Sequence, residues 1–228
     1  MQLPDDVESE HEADALRFWD GRGSARLLAH DAATRALLIE RCVPGIPLGN
    51  AYDDELIAVA AGVMQRLWRP PSGDVPWRRL ELEAERWLVE IPERWQRHGR
   101  PFERRLLETG LDALGTLGPT QDDVVLCHQD LHGGNILRAE REPWLAIDPK
   151  PIVGERAYDT VALVRDLGPH GLTPGDVRRR LDVLSELLEL DRERMRGWGI
   201  AKHLAWGLDE EAVHEHDIEE VRLLVEAR

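Results

Sequence analysis

The chain has 228 residues, 42% hydrophobic and 32% charged, with a formal charge of −15; this length buries a full core as one domain, or as one large and one small domain. The acidic balance excludes nucleic acid as a partner, because phosphate backbones require a basic surface. No apolar run approaches the roughly 20 residues of a membrane span and the N-terminus has no basic, apolar leader, so the reading is no membrane and a cytoplasmic location. The charge would favour a cationic small molecule, but on charge alone ordinary acidic solubility is the weightier reading. Cys42 and Cys127 lie beside apolar strands and read as reduced thiols rather than a disulfide. Among 29 basic residues only Lys150 and Lys202 are lysines.

Met1-Gln2-Leu3 reads as the tail of a strand, closed by Pro4-Asp5-Asp6. A helix is predicted from Glu8 to Asp20, with Ala15, Leu16 and Trp19 on its apolar face and Gly21 and Gly23 as its stop. Ser9 and Glu12 stand in capping-box spacing, which by itself would make Glu12 a helix cap. Arg26 to Ala29 and Ala36 to Ile39 flank the polar stretch His30 to Arg35 as a β-hairpin. Glu40-Arg41-Cys42-Val43-Pro44-Gly45 then breaks the pattern and marks a boundary between residues 1–43 and 44–228. Its extended backbone reads either as a simple turn or as a hinge whose N–H and C=O groups face a flat ligand.

From Asp53 the pattern turns helical, with Leu56, Val59, Ala60, Val63, Met64 and Leu67 on one face. Two more helices are predicted, from Leu80 to Trp95 and from Phe102 to Leu117, the second ended by Gly118-Pro119. Trp87 and Trp95 recur at helical spacing and read as core. Beyond a loop from Pro149 to Ala157, helices are predicted from Tyr158 to Leu167, from Thr173-Pro174 to Leu188, and from Asp191 onward. Asp209 to Arg228 reads as a last helix with an acidic start, a solvated face or an attractor of cations.

Polar residues interrupt strongly apolar strands at one place. Val124 to Cys127 is a buried strand, His128 to Asn135 a polar loop, and Ile136-Leu137 a strand that returns antiparallel as Trp144 to Ile147. If the hairpin is centred near Arg141 and Glu142, Asn135 faces Asp148 with side chains about 5 Å apart. Two oxygen ligands so placed make a magnesium clamp. Phosphoryl transfer requires little more than a positioned acceptor and a held metal; Asp130 fits the acceptor side, Asn135 and Asp148 the metal side, and His128 ties down loop backbone. A competing reading takes His128, Asp130 and His132 as zinc ligands of a hydrolase, but no companion cluster of comparable quality is present.

The segment Leu126-Cys127-His128-Gln129-Asp130-Leu131-His132-Gly133-Gly134-Asn135-Ile136-Leu137, with Trp144-Leu145-Ala146-Ile147-Asp148-Pro149-Lys150-Pro151 and Ala157-Tyr158-Asp159, resembles the aminoglycoside phosphotransferase family. The Ile-Asp-Pro-Lys-Pro stretch is similar to its streptomycin and hydroxyurea phosphotransferase branch. The resemblance implies an α+β, protein-kinase-like fold of two lobes, here with an incomplete N-lobe, a hinge and a mostly helical C-lobe. It implies a kinase that uses ATP and Mg2+ to phosphorylate a hydroxyl of a small, aminoglycoside-like or hydroxyurea-like acceptor, in antibiotic inactivation or secondary metabolism, as a monomer or weak dimer. By the family pattern Asp130 is the catalytic aspartate, Asn135 and Asp148 bind magnesium, and Asp159 braces the loop. Glu12 becomes the helix glutamate that pairs with a phosphate-binding lysine, and Glu40, Arg41 and Cys42 the adenine hinge. Gln2 stands where that lysine is expected, and no glycine-rich strand pair precedes it. The chain therefore resembles an N-terminally truncated member. A lysine about 4 Å from a phosphate contributes up to ~4 kcal/mol at an effective dielectric near 20, so a weak or inactive kinase is the alternative expectation.

Overall fold

A computed structural model describes residues 7–49, 53–165 and 171–228; the expected strand at Met1 to Leu3, with Gln2, lies outside them. A 3-10 turn at Val7–Ser9 precedes helix α1 (Glu12–Trp19), which buries Ala15, Leu16 and Trp19 as the periodicity predicts. The helix starts later than expected. His11 is its N-cap and makes no side-chain capping bond, and Ser9 is buried in the tight turn that precedes it. The chain leaves α1 through Asp20 in the left-handed region, followed by Gly21 and Gly23 at positive φ. Strands β1 (Leu27–Asp31) and β2 (Ala36–Ile39) form the expected antiparallel hairpin, with a register irregularity between Leu27 and Ala29.

Three helices follow: α2 (Asp54–Leu67), whose cap Asp53 accepts from the N–H of Leu56, α3 (Leu80–Arg97) and α4 (Arg104–Leu117). Trp87 and Trp95 are core residues, and Trp95 donates its indole N–H to the Phe102 carbonyl. Strands β3 (Val124–Cys127), β4 (Ile136–Arg138), β5 (Trp144–Ala146) and β6 (Ile152–Glu155) make two antiparallel pairs, β3 with β6 and β4 with β5. Strand β6 lies where a loop is expected from its Pro- and Gly-rich sequence. All four of its residues are buried, and a Cβ at Gly154 would stand 2.7 Å from Leu80, so the glycine serves close packing against α3.

The single helix expected from Tyr158 to Leu167, whose last residues lie outside the described ones, is two short helices up to residue 164, α5 (Arg156–Asp159) and α6 (Val161–Val164). The break falls at Thr160, whose hydroxyl donates to the Ala157 carbonyl. Helix α7 (Pro174–Leu188) opens on a full capping box between Thr173 and Asp176. Helix α8 (Arg192–Gly207) is capped by Asp191, and α9 (Glu215–Glu226) closes the chain. Asp209 to Val213 is not helical, because the Asp209 carboxylate takes the N–H groups of Glu211 and Ala212 into a turn.

Helix α8 is buried on most of its circumference and packs between α4 and α9. The hairpin β4–β5 is flanked on both edges. Ala25 N–H donates to the Ala146 carbonyl and Ala146 N–H to that of Gly23, while Leu48 N–H donates to Ile136 and Arg138 N–H to Ile46. The chain leaving α1 and the chain leaving β2 therefore both run along this hairpin. Among the described residues, no helix is long and apolar enough to cross a membrane.

Candidate active site

The loop between β3 and β4 is held by its backbone. Gln129 sits at φ 68, a conformation that non-glycine residues adopt at a cost and that needs outside support. Four contacts supply it. The Asp159 carboxylate accepts from Gln129 N–H at 2.6 Å, and Lys202 Nζ donates to the Gln129 carbonyl at 2.7 Å. The Gln129 side chain donates to Glu8 at 2.9 Å and accepts from Arg78 at 3.3 Å. Asp159 is itself fully buried and takes the indole N–H of Trp68 on its other oxygen. His128 stacks on Trp19 of α1, with ring centroids 6.0 Å apart and planes 12° from parallel, and its Nε2 contacts the Ile147 carbonyl at 3.0 Å. Burial pushes its pKa down, so the neutral ring donates from Nε2 to that carbonyl and ties the loop to the strand opposite.

Asp130 follows this clamped residue. Its Oδ1 accepts from Arg165 at 2.7 Å, and its Oδ2 lies 3.4 Å from Asn135 Nδ2 and 3.8 Å from His132 Nε2. Asn135 Nδ2 also donates to the Asp130 carbonyl at 2.9 Å, which commits the amide nitrogen inside the loop. Gly133 lies against the segment that follows β2: Gly49 N–H donates to its carbonyl, and a Cβ on Gly133 would stand 1.8 Å from the Gly49 oxygen. Only glycine permits that approach.

Asp148 is not opposite Asn135. The observed pairs are Ile136 with Ala146, Leu137 with Leu145 and Arg138 with Trp144, and Ile147 N–H donates to the Asn135 carbonyl. The ladder thus places Asn135 against Ile147, one residue short of the expected register. The turn is centred on Arg141 and closed by Ala139 N–H on the Pro143 carbonyl; Arg141 is pulled inward by Glu40 and by the Gly21 and Ser24 carbonyls. Asp148 lies just past the ladder at φ 54, and Lys150 Nζ reaches its Oδ1 at 2.9 Å. Lys150 N–H donates to the His128 carbonyl, so the Asp148 turn and the start of the β3–β4 loop are neighbours.

Glu12 is buried on α1, seven residues before Trp19 and so on the same helical face, about 10 Å along the axis. The Glu40 carboxylate is gripped by Arg141 at 2.8 and 2.7 Å and held below the usual carboxylate range, and the Glu40 N–H donates to the Arg26 carbonyl at 2.8 Å, so both are committed within the fold. Arg41 is exposed, and Cys42 is half-buried with its thiol pushed up by burial. Among the described residues, the backbone of Arg41 and Cys42 has no hydrogen-bond partner.

The structure brings Asp130, Asn135, His128 and Asp159 into one network and sets Asp148 at its rim. Sequence reasoning did not anticipate Arg165, Lys202 and Arg78, which reach the loop from 35 to 73 residues away, or Trp68, which holds Asp159 from 91 residues away; none carries a local signal. Among the described residues, no three His, Cys, Asp or Glu side chains converge as a metal-binding group. His128, Asp130 and His132 are accordingly not a zinc site. The amide oxygen of Asn135 and the carboxylate of Asp148 are a hard, two-ligand set, which suits magnesium, an ion that keeps water and phosphate oxygens in its shell. The acidic stretch Asp209 to Glu220 is largely engaged within the fold: Glu210 pairs with Arg94 and Arg97, Glu215 and Glu219 pair with Arg222, and Asp209 and Asp217 hydrogen-bond His214 and the buried His203, whose pKa burial pushes down.

Residues 2–212 match the family model described as aminoglycoside/hydroxyurea antibiotic resistance kinase. The hydroxyurea phosphotransferase of Kitasatospora aureofaciens is 41% identical over 206 residues, which cover 88% of this chain and 58% of that protein. The streptomycin 6-kinase of Streptomyces glaucescens is 37% identical over 210 residues, covering 87% of this chain and 65% of that one. The chain thus spans about three fifths of the length of these curated relatives. Among solved structures, a choline kinase from Streptococcus pneumoniae superposes with a TM-score of 0.63 at 13% identity, covering 96% of this chain and 79% of that one. A Plasmodium vivax ethanolamine kinase does so with 0.65 at 12% identity, covering 99% and 72%. At these identities the likeness is one of fold, the protein-kinase-like α+β architecture.

Proposed function

The chain belongs to the aminoglycoside/hydroxyurea antibiotic resistance kinase family, and from that premise we propose that it transfers the γ-phosphate of ATP to a hydroxyl group of a small acceptor of the streptomycin or hydroxyurea kind. The observation that carries the reading is the brace on one loop: Asp159 on Gln129 N–H and Asn135 on the Asp130 carbonyl fix the Asp130 carboxylate beside the Asn135 side chain. Asp130 orients the acceptor hydroxyl and takes its proton as the phosphoryl group arrives. Asn135 Oδ1 and the Asp148 carboxylate would hold magnesium, which supplies neutralising charge on the phosphate oxygens. Arg165, already on Asp130 Oδ1, places a second cation where charge develops on the transferred group. The backbone of residues 40–42 takes the adenine, and residues 1–43 serve as the N-terminal lobe. The relatives' names favour a working kinase over an inactive remnant.

The test is Mg·ATP-dependent phosphorylation of streptomycin and of hydroxyurea by the purified protein and its Asp130→Asn variant. Loss of a positioned general base lowers turnover by about 10²–10⁴-fold, while the thermal shift produced by Mg·ATP should persist, since Asp130 faces the acceptor. Retained turnover in Asp130→Asn removes that residue from the catalytic role. Transfer to neither acceptor by the wild-type protein overturns the substrate class.

A further inference from the structure

Lys202 is fully buried in the middle of α8. Among the described residues no carboxylate pairs with it; its Nζ donates to the neutral carbonyl of Gln129 at 2.7 Å and lies over the rings of Trp206 and Tyr158, 4.4 and 4.9 Å from their centroids. A buried ammonium satisfied by one neutral acceptor and two aromatic faces is poorly compensated, and the direction of its pKa, pushed down by burial and by the nearby Arg165, agrees. A methionine would fill the same space with no charge to desolvate. The residue therefore weakens the fold it sits in, which directs attention to what it holds.

What it holds is the peptide plane that joins Gln129 to Asp130. With Gln129 at φ 68, that plane has no regular ladder to set its direction. Asp159 fixes the N–H end of Gln129, and Lys202 fixes the carbonyl end. The next carbonyl, that of Asp130, is taken by Asn135 Nδ2 and His132 N–H. Lys202 is the part of this chain of contacts immediately before the Asp130 Cα. Displacing the plane swings the Asp130 carboxylate, and misplacement by about 1 Å lowers rate by roughly 10²-fold.

We propose that Lys202 is a positioning residue of the phosphotransfer site: clamped between Tyr158 and Trp206, its ammonium locks the Gln129–Asp130 peptide plane and so aims the Asp130 carboxylate at the acceptor hydroxyl. The inference rests on the phosphotransferase reading for its kinetic arm and on geometry alone for its structural arm. Lys202→Met keeps the stem and removes the donor. In steady-state assays, kcat should fall at least about tenfold with the KM for ATP changed less than about twofold, because phosphate binding does not involve Lys202 and transition-state alignment does.

Hydrogen exchange on the same pair of proteins should show the amides of residues 130–135 exchanging faster in Lys202→Met, with those of α4 and α9 unchanged and the melting temperature within a few degrees of wild type. Unchanged kcat, unchanged loop exchange, or a variant that melts far below wild type would each overturn the proposal, the last by making Lys202 a general structural residue. If the wild-type protein phosphorylates no acceptor, the functional reading fails, and the exchange arm still decides whether Lys202 holds the loop.

Discussion

At the scale of the residue, the unusual ionisation is again that of Lys202. Burial first, and repulsion by Arg165 second, lower its pKa from 10.5 to about 8, against the attraction of Asp130, Glu8 and Asp159. In the unfolded chain it returns to the ordinary value, so between these limits the unfolded state binds more protons and stability rises with pH. The penalty is fully present below pH 8 and is relieved towards 10.5. Over the window from pH 8 to 9 the gain is about 1 kcal/mol. Cys127 and Tyr158, both held protonated by burial, act in the opposite sense above their ordinary values but are shared by wild type and Lys202→Met. The stability of wild type relative to that variant, from urea unfolding at pH 7, 8 and 9, should therefore improve with pH; parallel curves would return the lysine to an ordinary pKa. None of this was legible in the sequence. Asp130, Asn135 and Asp148 stand out because they interrupt apolar strands at a short spacing, and Asp159 through the family resemblance, whereas Lys202 and Arg165 enter the loop through tertiary packing, and a lysine between Ala201 and His203 has no pattern that announces burial.

At the scale of the element, glycines report how tightly the helical body is packed. A Cβ at Gly110 of α4 would stand 2.0 Å from Leu204 Cδ1 of α8, whereas at Gly115, in the same helix, it would meet nothing within 4 Å. Gly110→Ala is expected to destabilise by about 1–3 kcal/mol through overpacking, and Gly115→Ala to stabilise by about 0.5–1 kcal/mol through helix entropy. Thermal unfolding should shift in opposite directions by about 2–4 °C per kcal/mol; equal shifts would mean that α4 and α8 do not approach closely. Helix positions were readable because their apolar period spans many turns, as in α2 and α4. The strands were harder. Strand β6 carries Pro151 just before it and Gly154 within it, breakers whose local meaning is overruled by pairing with β3 and packing on Leu80. The β4–β5 register was misread by one residue, since it depends on where Arg141 is held, a contact made with residues about 100 positions earlier.

At the scale of the molecule, that same arginine joins the N-terminal segment to the β4–β5 hairpin. Arg141 reaches from the β4–β5 turn to both oxygens of Glu40 and to the carbonyls of Gly21 and Ser24, so one guanidinium spans the exit from α1, the end of β2 and the hairpin that leads to Asp148. Backbone pairing along both hairpin edges sets the position of these segments; the bidentate pair sets where the backbone of Arg41 and Cys42 emerges. Each partner keeps about a fifth of its side-chain surface in solvent, so the pair is partly screened, and a coupling of about 1–2 kcal/mol is expected, between exposed pairs and buried charge-assisted bonds. A double-mutant cycle with Glu40→Gln and Arg141→Met measures it by urea unfolding. If residues 40–42 take the adenine, Arg141→Met should also reduce the thermal shift produced by Mg·ATP although no atom of Arg141 needs to touch nucleotide, because the strand end that carries the hinge is no longer tied to the hairpin that carries Asp148. A coupling near zero together with an undiminished shift would mean that the two edges of the hairpin hold the hinge without it.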